Sequence, residues 1–180
     1  MTASISLLVL AIADFAATAM TLQWVRTDLD PIVVPLSAYL RGTGGIWLRG
    51  AYYTMAAVLA ALAWSSYHVT DARQRSGLTS ALFAIAALTL PVVAITTLYE
   101  ATPQANLAGF VHGQAAQATF LCLVVGMLRL CWSWARDPRL RGGNRTGWAL
   151  AWLAFLQMWL LALWKQAPHG LMQKDRKSVV

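Results

Sequence analysis

Residues 77–98 read GLTSALFAIAALTLPVVAITTL, an apolar run of 22 residues that contains no charged side chain. A helix needs roughly 20 mostly apolar residues to cross the hydrocarbon core of a bilayer, and this run has that length. The stretch therefore predicts a membrane-spanning helix.

Four further stretches have the same length and character, and short polar segments separate them. The sequence predicts an all-α, polytopic membrane bundle that includes the whole chain, 1–180, as one domain. We predict five spans and a polar tail at about 4–25, 46–67, 77–98, 108–134, 147–164 and 165–180.

The charges fall mainly between the predicted spans. The chain is 58% hydrophobic and 12% charged, with a net charge of +7. Basic residues concentrate in 68–76 and 135–146, whereas 99–107 contains no Lys or Arg. The positive-inside rule therefore predicts a cytoplasmic N-terminus. The same rule explains the excess of basic over acidic residues, so we expect no nucleic-acid partner.

Cysteine and histidine spacing gives no sign of a metal or redox centre. Cys122 and Cys131 would lie about 13 Å apart along one helix, too far to form a disulfide. His68 and His112 fall on opposite sides of the predicted membrane, roughly 30 Å apart. We therefore predict no metal site, and the sequence identifies no cofactor.

Asp14 is the clearest anomaly, because it lies near the middle of the first predicted span. A charge at that depth is expensive unless it is neutralised, paired or hydrated. Asp14 is either a ligand for an ion, proton or substrate, or a protonated acid that hydrogen-bonds a neighbouring helix.

A second group of polar residues falls on the predicted outer face. A carboxylate near a histidine can perform acid–base chemistry, which makes Glu100 and His112 the candidates for catalysis. The same group can instead form a latch between loops or a polar lid over a lipid pocket. Its members are Ser37, Tyr39, Glu100, His112, Gln114, Gln117 and His169.

Aromatic side chains follow helical spacing along one face of the fifth predicted span. Such a face packs against lipid or another protein, or it holds a flat hydrophobic ligand. The four residues are Trp148, Trp152, Phe155 and Trp159.

Four short motifs stand out along the chain: Pro35-x-Ser37-x-Tyr39, Arg49-Gly50-Ala51-Tyr52-Tyr53, His112-Gly113 and Gly170-Leu171-Met172-Gln173-Lys174. Together they resemble those of a bacterial membrane family catalogued as domain of unknown function 998. The resemblance covers about residues 4–174 and implies a helical bundle whose motif loops share one face. The chain departs from the family in two ways: a sixth helix typical of the family is not expected here, and Glu100 stands where the family tends to have Asp.

These features predict a non-enzymatic protein of a bacterial inner (cytoplasmic) membrane that binds hydrophobic partners. We expect those partners to be lipid, a second copy of the chain, or other subunits of a membrane complex. Two alternatives stay open: a small transporter or channel component that uses Asp14, and a lipid-modifying enzyme that uses Glu100 and His112.

Overall fold

The computed structural model describes residues 2–31, 34–68, 77–99, 102–136, 145–156 and 159. Within these ranges every regular element is helical, which confirms the predicted all-α class. A 3-10 helix, Leu36–Leu40, lies between the first two long helices. The four long helices are α1 (Thr2–Val25), α2 (Gly45–His68), α3 (Gly77–Thr96) and α4 (Ala105–Arg136).

All four long helices have the length and composition needed to cross a membrane. They coincide with the first four predicted spans, with differences of a few residues at their ends. Residues 145–156 are helical and begin the fifth predicted span. The remainder of that span apart from residue 159, the polar tail and the question of a sixth helix lie outside the described residues.

Large apolar side chains are exposed on these helices. Leu10 is 65% exposed, Leu88 73% and Phe110 66%. Apolar surface on this scale is unfavourable in water and favourable in hydrocarbon. The chain is therefore a multi-pass membrane protein, and these helix faces are the ones that lipid or another membrane-embedded chain can contact.

The chain divides into two compact units, residues 1–126 and 127–180. In the first unit, α2 packs against both α1 and α3. Its buried positions recur every three or four residues, as one helix face requires, and include Leu48, Tyr52 and Leu59. The Tyr52 ring lies 5.2 Å, centroid to centroid, from the Phe15 ring of α1.

A hydrogen bond and a packed aromatic ring are among the contacts that join α3 to the part of α4 in the first unit. The Thr89 and Thr119 hydroxyl oxygens lie 2.8 Å apart, so one hydroxyl donates to the other across the helices while the second donates to a carbonyl oxygen of its own helix. Phe83, only 1% exposed, packs over Gly126, where an added Cβ would come within 3.1 Å of the ring. Small residues and interhelical hydrogen bonds are the usual determinants of helix packing in membranes.

The segment between α1 and α2 is held together by Arg26. Its guanidinium donates two hydrogen bonds to Asp28, of 2.8 and 2.7 Å, and one of 2.6 Å to the Arg41 carbonyl. The hydrogen bonds from Arg26 lower the pKa of Asp28, and the same pairing raises the pKa of Arg26. Gly42 and Gly44 follow with φ of 73° and 78°, a conformation that favours glycine.

In the second unit, the end of α4 contacts the helical segment 145–156. The Trp132 and Trp148 rings meet edge to face with centroids 6.4 Å apart. The Arg136 guanidinium lies 5.1 Å from the Trp132 ring centroid, within the range of a cation–π interaction.

Candidate functional site

A groove of about 660 Å³ lies between α2 and α3, within the first unit. Six of its eleven lining residues are alanines, so the two helices lack the side-chain volume that would fill the space between them. The remaining members are mostly aromatic or weakly polar. The lining residues are Ala56, Ala57, Ala60, Ala63, Trp64, Tyr67, His68, Ser80, Ala84, Ala87 and Leu88.

One end of the groove carries three rings from the last turn of α2. Trp64 and His68 are four residues apart, so their side chains share a helix face, and their ring centroids lie 4.1 Å apart. Tyr67 meets His68 edge to face at 5.3 Å. This end therefore offers an aromatic and imidazole surface, whereas the alanine-lined remainder is apolar.

Ser80 of α3 links the two helices beside this cluster. Its hydroxyl donates a 2.7 Å hydrogen bond to the carbonyl oxygen of Ala63 in α2. Because a polar group removed from water is costly without a hydrogen bond, this bond favours contact between α2 and α3 at this end of the groove.

The groove's composition suits a hydrophobic ligand. Its volume falls within the roughly 300–1,000 Å³ typical of small-molecule sites, which are mostly apolar with few polar groups. In the described part of the chain, no three His, Cys, Asp or Glu side chains come together, so no metal centre is assigned.

His112, a sequence-predicted candidate, is half-buried and bonded to α3. Its Nδ1 lies 3.1 Å from both the Val93 carbonyl oxygen and the Thr96 hydroxyl oxygen. Since a carbonyl only accepts, Nδ1 must carry the proton in the bond to Val93. The Thr96 hydroxyl itself donates to the Val92 carbonyl at 2.8 Å. The imidazole and the hydroxyl therefore both donate hydrogen bonds to carbonyl oxygens near the end of α3.

The other outer-face candidates are not brought into one site among the described residues. Tyr39 is fully buried, and its hydroxyl donates a 3.3 Å hydrogen bond to the Leu29 carbonyl. Ser37 is half-buried in the 3-10 helix, and Gln114 and Gln117 are exposed on α4. The predicted partners Glu100 and His169 lie outside the described residues, so a Glu100–His112 pair stays a prediction.

Asp14 lies on the exposed side of α1, away from the face that packs on α2. The α1 span from Ser6 to Val25 is also the least buried of the four. The polar group that the sequence singled out is therefore presented to the surroundings of the first unit.

Three of the four residues of the predicted aromatic face form a series of ring contacts in the second unit, while Trp148 pairs with Trp132. Trp152 meets Phe155 at 5.5 Å, and Phe155 meets Trp159 at 6.3 Å, both edge to face. Trp152 and Trp159 are about half exposed, which leaves this face open to lipid or to another protein.

Sequence reasoning did not find the groove. Its signal was present as alanines at 56, 57, 60 and 63 followed by Trp64, Tyr67 and His68. Alanine spacing alone does not distinguish helices in close contact from helices with a gap between them. The distinction depends on where α3 crosses α2.

Membrane-length helices with lipid-facing side chains and an apolar interhelical groove define a polytopic α-helical membrane protein. Within that class, a family model described as "Protein of unknown function (DUF998)" matches residues 9–174. The chain belongs to this family. No curated protein and no solved structure matches it.

Proposed function

We propose that this chain is a non-enzymatic protein of a bacterial inner membrane that binds a membrane lipid in the α2–α3 groove. The observation that carries the proposal is the alanine-lined groove with its aromatic end at Trp64 and His68. An acyl chain suits such a groove because the chain is long, narrow and apolar.

The groove's polar end supports a phospholipid over a bare hydrocarbon. Aromatic side chains with polar edges are enriched at the level of lipid headgroups. In the predicted topology His68 lies at the cytoplasmic end of α2, and the sequence places Arg73 and Arg75 a few residues later. Basic residues at the cytoplasmic surface attract anionic headgroups, so the proposed ligand is an anionic phospholipid.

Two alanines allow a matched test of the groove. Ala60 and Ala61 are both exposed on α2, but only Ala60 lines the groove. We expect Ala60→Trp to occupy the space of the acyl chain and Ala61→Trp to face bulk lipid. Displacing two buried methylenes, at about 0.8 kcal/mol each, lowers lipid affinity about fifteenfold.

The measurement is native mass spectrometry of the full chain purified in mild detergent, with the bound phospholipid counted for each variant. The proposal predicts that the wild type and A61W retain one anionic phospholipid and that A60W loses it. Equal retention by A60W and A61W, or a wild type without bound lipid, would contradict it.

The exposed aromatic face of the second unit favours a second function, as an accessory subunit of a membrane complex. Trp152 and Trp159 present a ring surface of the kind that anchors protein contacts. Gentle solubilisation from the native membrane tests this proposal: foreign subunits that copurify with the wild type and are lost in a Trp152→Ala variant would support it, and a lone chain would contradict it.

A further inference from the structure

His68 stands out among the residues that line the α2–α3 groove, because imidazole is the side chain that changes charge between pH 5 and 8. The rest of the described lining consists of alanines, Leu88, Ser80, Trp64 and Tyr67, whose side chains are uncharged in that range. A positive charge within the described lining of the groove therefore has one source, the protonated form of His68.

Two rings from the last turns of α2 hold this imidazole in place. The Trp64 and His68 ring centroids lie 4.1 Å apart at an interplanar angle of 37°, which places the imidazole over the indole face. Tyr67 contacts it edge to face, at 5.3 Å and 82°. A cation within about 6 Å of an indole centroid is attracted by the negative face of the ring. The cluster therefore accommodates the charged imidazole as well as the neutral one.

The other ionisable groups to consider around His68 belong to α2, to the two helices packed on it and to the sequence that follows it. The Tyr67 phenol is ordinarily neutral below pH 8, and α3 contains no Asp, Glu, His, Lys or Arg. On α1, Asp14 is the single charged side chain, and the amino terminus of the chain precedes it. Carboxylates and guanidinium groups ordinarily keep their charge between pH 5 and 8, so the amino terminus is the second group to control for. Three charged residues follow His68 in the sequence, Asp71, Arg73 and Arg75.

We infer that His68 selects the anionic headgroup of the lipid in the groove, and that its protonation strengthens the binding of that lipid. The inference rests on the lipid site proposed above and adds to it the residue that recognises the phosphate and a dependence on pH. Protonated imidazole offers a positive charge and two N–H donors, whereas neutral imidazole offers one donor and one acceptor. Charge-assisted hydrogen bonds are the stronger ones, so a phosphate diester binds the protonated form more tightly.

The experiment measures the binding of phosphatidylglycerol, whose phosphate diester keeps its negative charge from pH 5.5 to pH 8. The full chain in mild detergent is titrated with this lipid at both pH values, and the bound lipid is counted by native mass spectrometry. The wild type should bind about fivefold more tightly at pH 5.5, the effect expected of one cation at an anionic lipid surface. Diacylglycerol, which lacks the phosphate, should bind equally at both pH values.

Three variants separate His68 from the other titrating groups. His68→Gln keeps a hydrogen-bond donor without a charge, so its affinity should be the same at both pH values. His68→Lys keeps a positive charge throughout, so its affinity should stay high at both. His112→Asn, whose position contacts α3 at Val93 and does not line the groove, should keep the fivefold difference. A fivefold difference that persists in H68Q would assign the effect to the amino terminus or another group and overturn the inference.

The inference and the proposed lipid site fail in different ways. Lipid that A60W displaces and A61W retains, with equal wild-type affinity at pH 5.5 and pH 8, would leave the groove site standing and overturn the role of His68. Binding that A60W leaves unchanged, or no bound lipid at either pH, would overturn both.

Discussion

The rings of Trp64 and His68 lie 4.1 Å apart, one helical turn from each other, at the end of an alanine-lined groove. The pair presents a polar edge where the groove is otherwise apolar. This relationship turns a gap between two helices into a candidate lipid site, because one end suits a headgroup and the remainder suits an acyl chain.

The Thr89–Thr119 hydrogen bond should stabilise the contact between α3 and α4. We expect Thr89→Val and Thr119→Val each to lower thermal stability in detergent, with a coupling of about 0.6–2 kcal/mol in a double-mutant cycle. Thr54→Val is the control, because the Thr54 hydroxyl bonds to a carbonyl of its own helix, as Thr89 and Thr119 also do, so the control measures the loss of that bond alone. Additive effects of the two substitutions would show that the hydroxyls do not interact.

Gly126 should tolerate no large side chain, because Phe83 covers it. Gly126→Leu forces the ring aside and should cost about 1–3 kcal/mol, the usual range for overpacking. Gly113 of the same helix has no atom within 4 Å of an added Cβ, apart from its own helix, so Gly113→Leu should leave stability near the wild-type value. Thermal unfolding of the two variants decides the point, and equal losses would contradict the packing described.

His112 should act on stability through its Nδ1 hydrogen. Asn places a donor close to the Nδ1 position, so His112→Asn should unfold near the wild-type temperature. His112→Leu leaves the Val93 carbonyl without this donor and should cost about 1–3 kcal/mol. If both variants unfold like the wild type, the bond to Val93 contributes nothing to stability and the case for a role of His112 in ligand chemistry becomes stronger.

The Arg26–Asp28 pair should make the segment between α1 and α2 sensitive to acid. Hydrogen bonds from Arg26 lower the pKa of Asp28 below its ordinary value of 3.8, so the carboxylate form stabilises the folded state. Its contribution is fully present above pH 3.8 and is lost as pH falls through the lower, folded-state pKa. Salt weakens the contribution because the pair is exposed.

Thermal unfolding of the wild type and Asp28→Asn between pH 2 and pH 7 measures this dependence. The two curves should converge at the acid end and separate above it, with a smaller separation in high salt. A difference that is independent of pH would show that the carboxylate charge plays no part.

The helices were predictable because hydrocarbon requires long apolar runs, and α3 begins at Gly77 as the sequence indicated. The conformation of the segment between α1 and α2 was not predictable, because it depends on a hydrogen bond from Arg26 to the Arg41 carbonyl, fifteen residues away. No local pattern encodes that contact. Tyr39 shows the same limit: sequence made it a candidate ligand residue, and its complete burial follows from tertiary packing.

The candidate site was likewise predictable only in part. Asp14 was visible from sequence because any acid within a span is anomalous. The groove was not visible from sequence, because alanines allow two helices to pack closely but can also leave a gap between them. Which of the two occurs depends on how α2 and α3 cross. The Thr96 and Val93 partners of His112 were equally hidden, because they belong to a different helix.

Photocrosslinking would show whether a lipid occupies the α2–α3 groove. The wild-type chain would be reconstituted with an anionic phospholipid carrying a diazirine on one acyl chain, irradiated, digested and mapped by mass spectrometry. If a lipid binds there, labelling should concentrate on the groove-lining residues between 56 and 68 and between 80 and 88, and it should be lost in A60W but not in A61W. Uniform labelling of all exposed helix faces, unchanged in A60W, would contradict it.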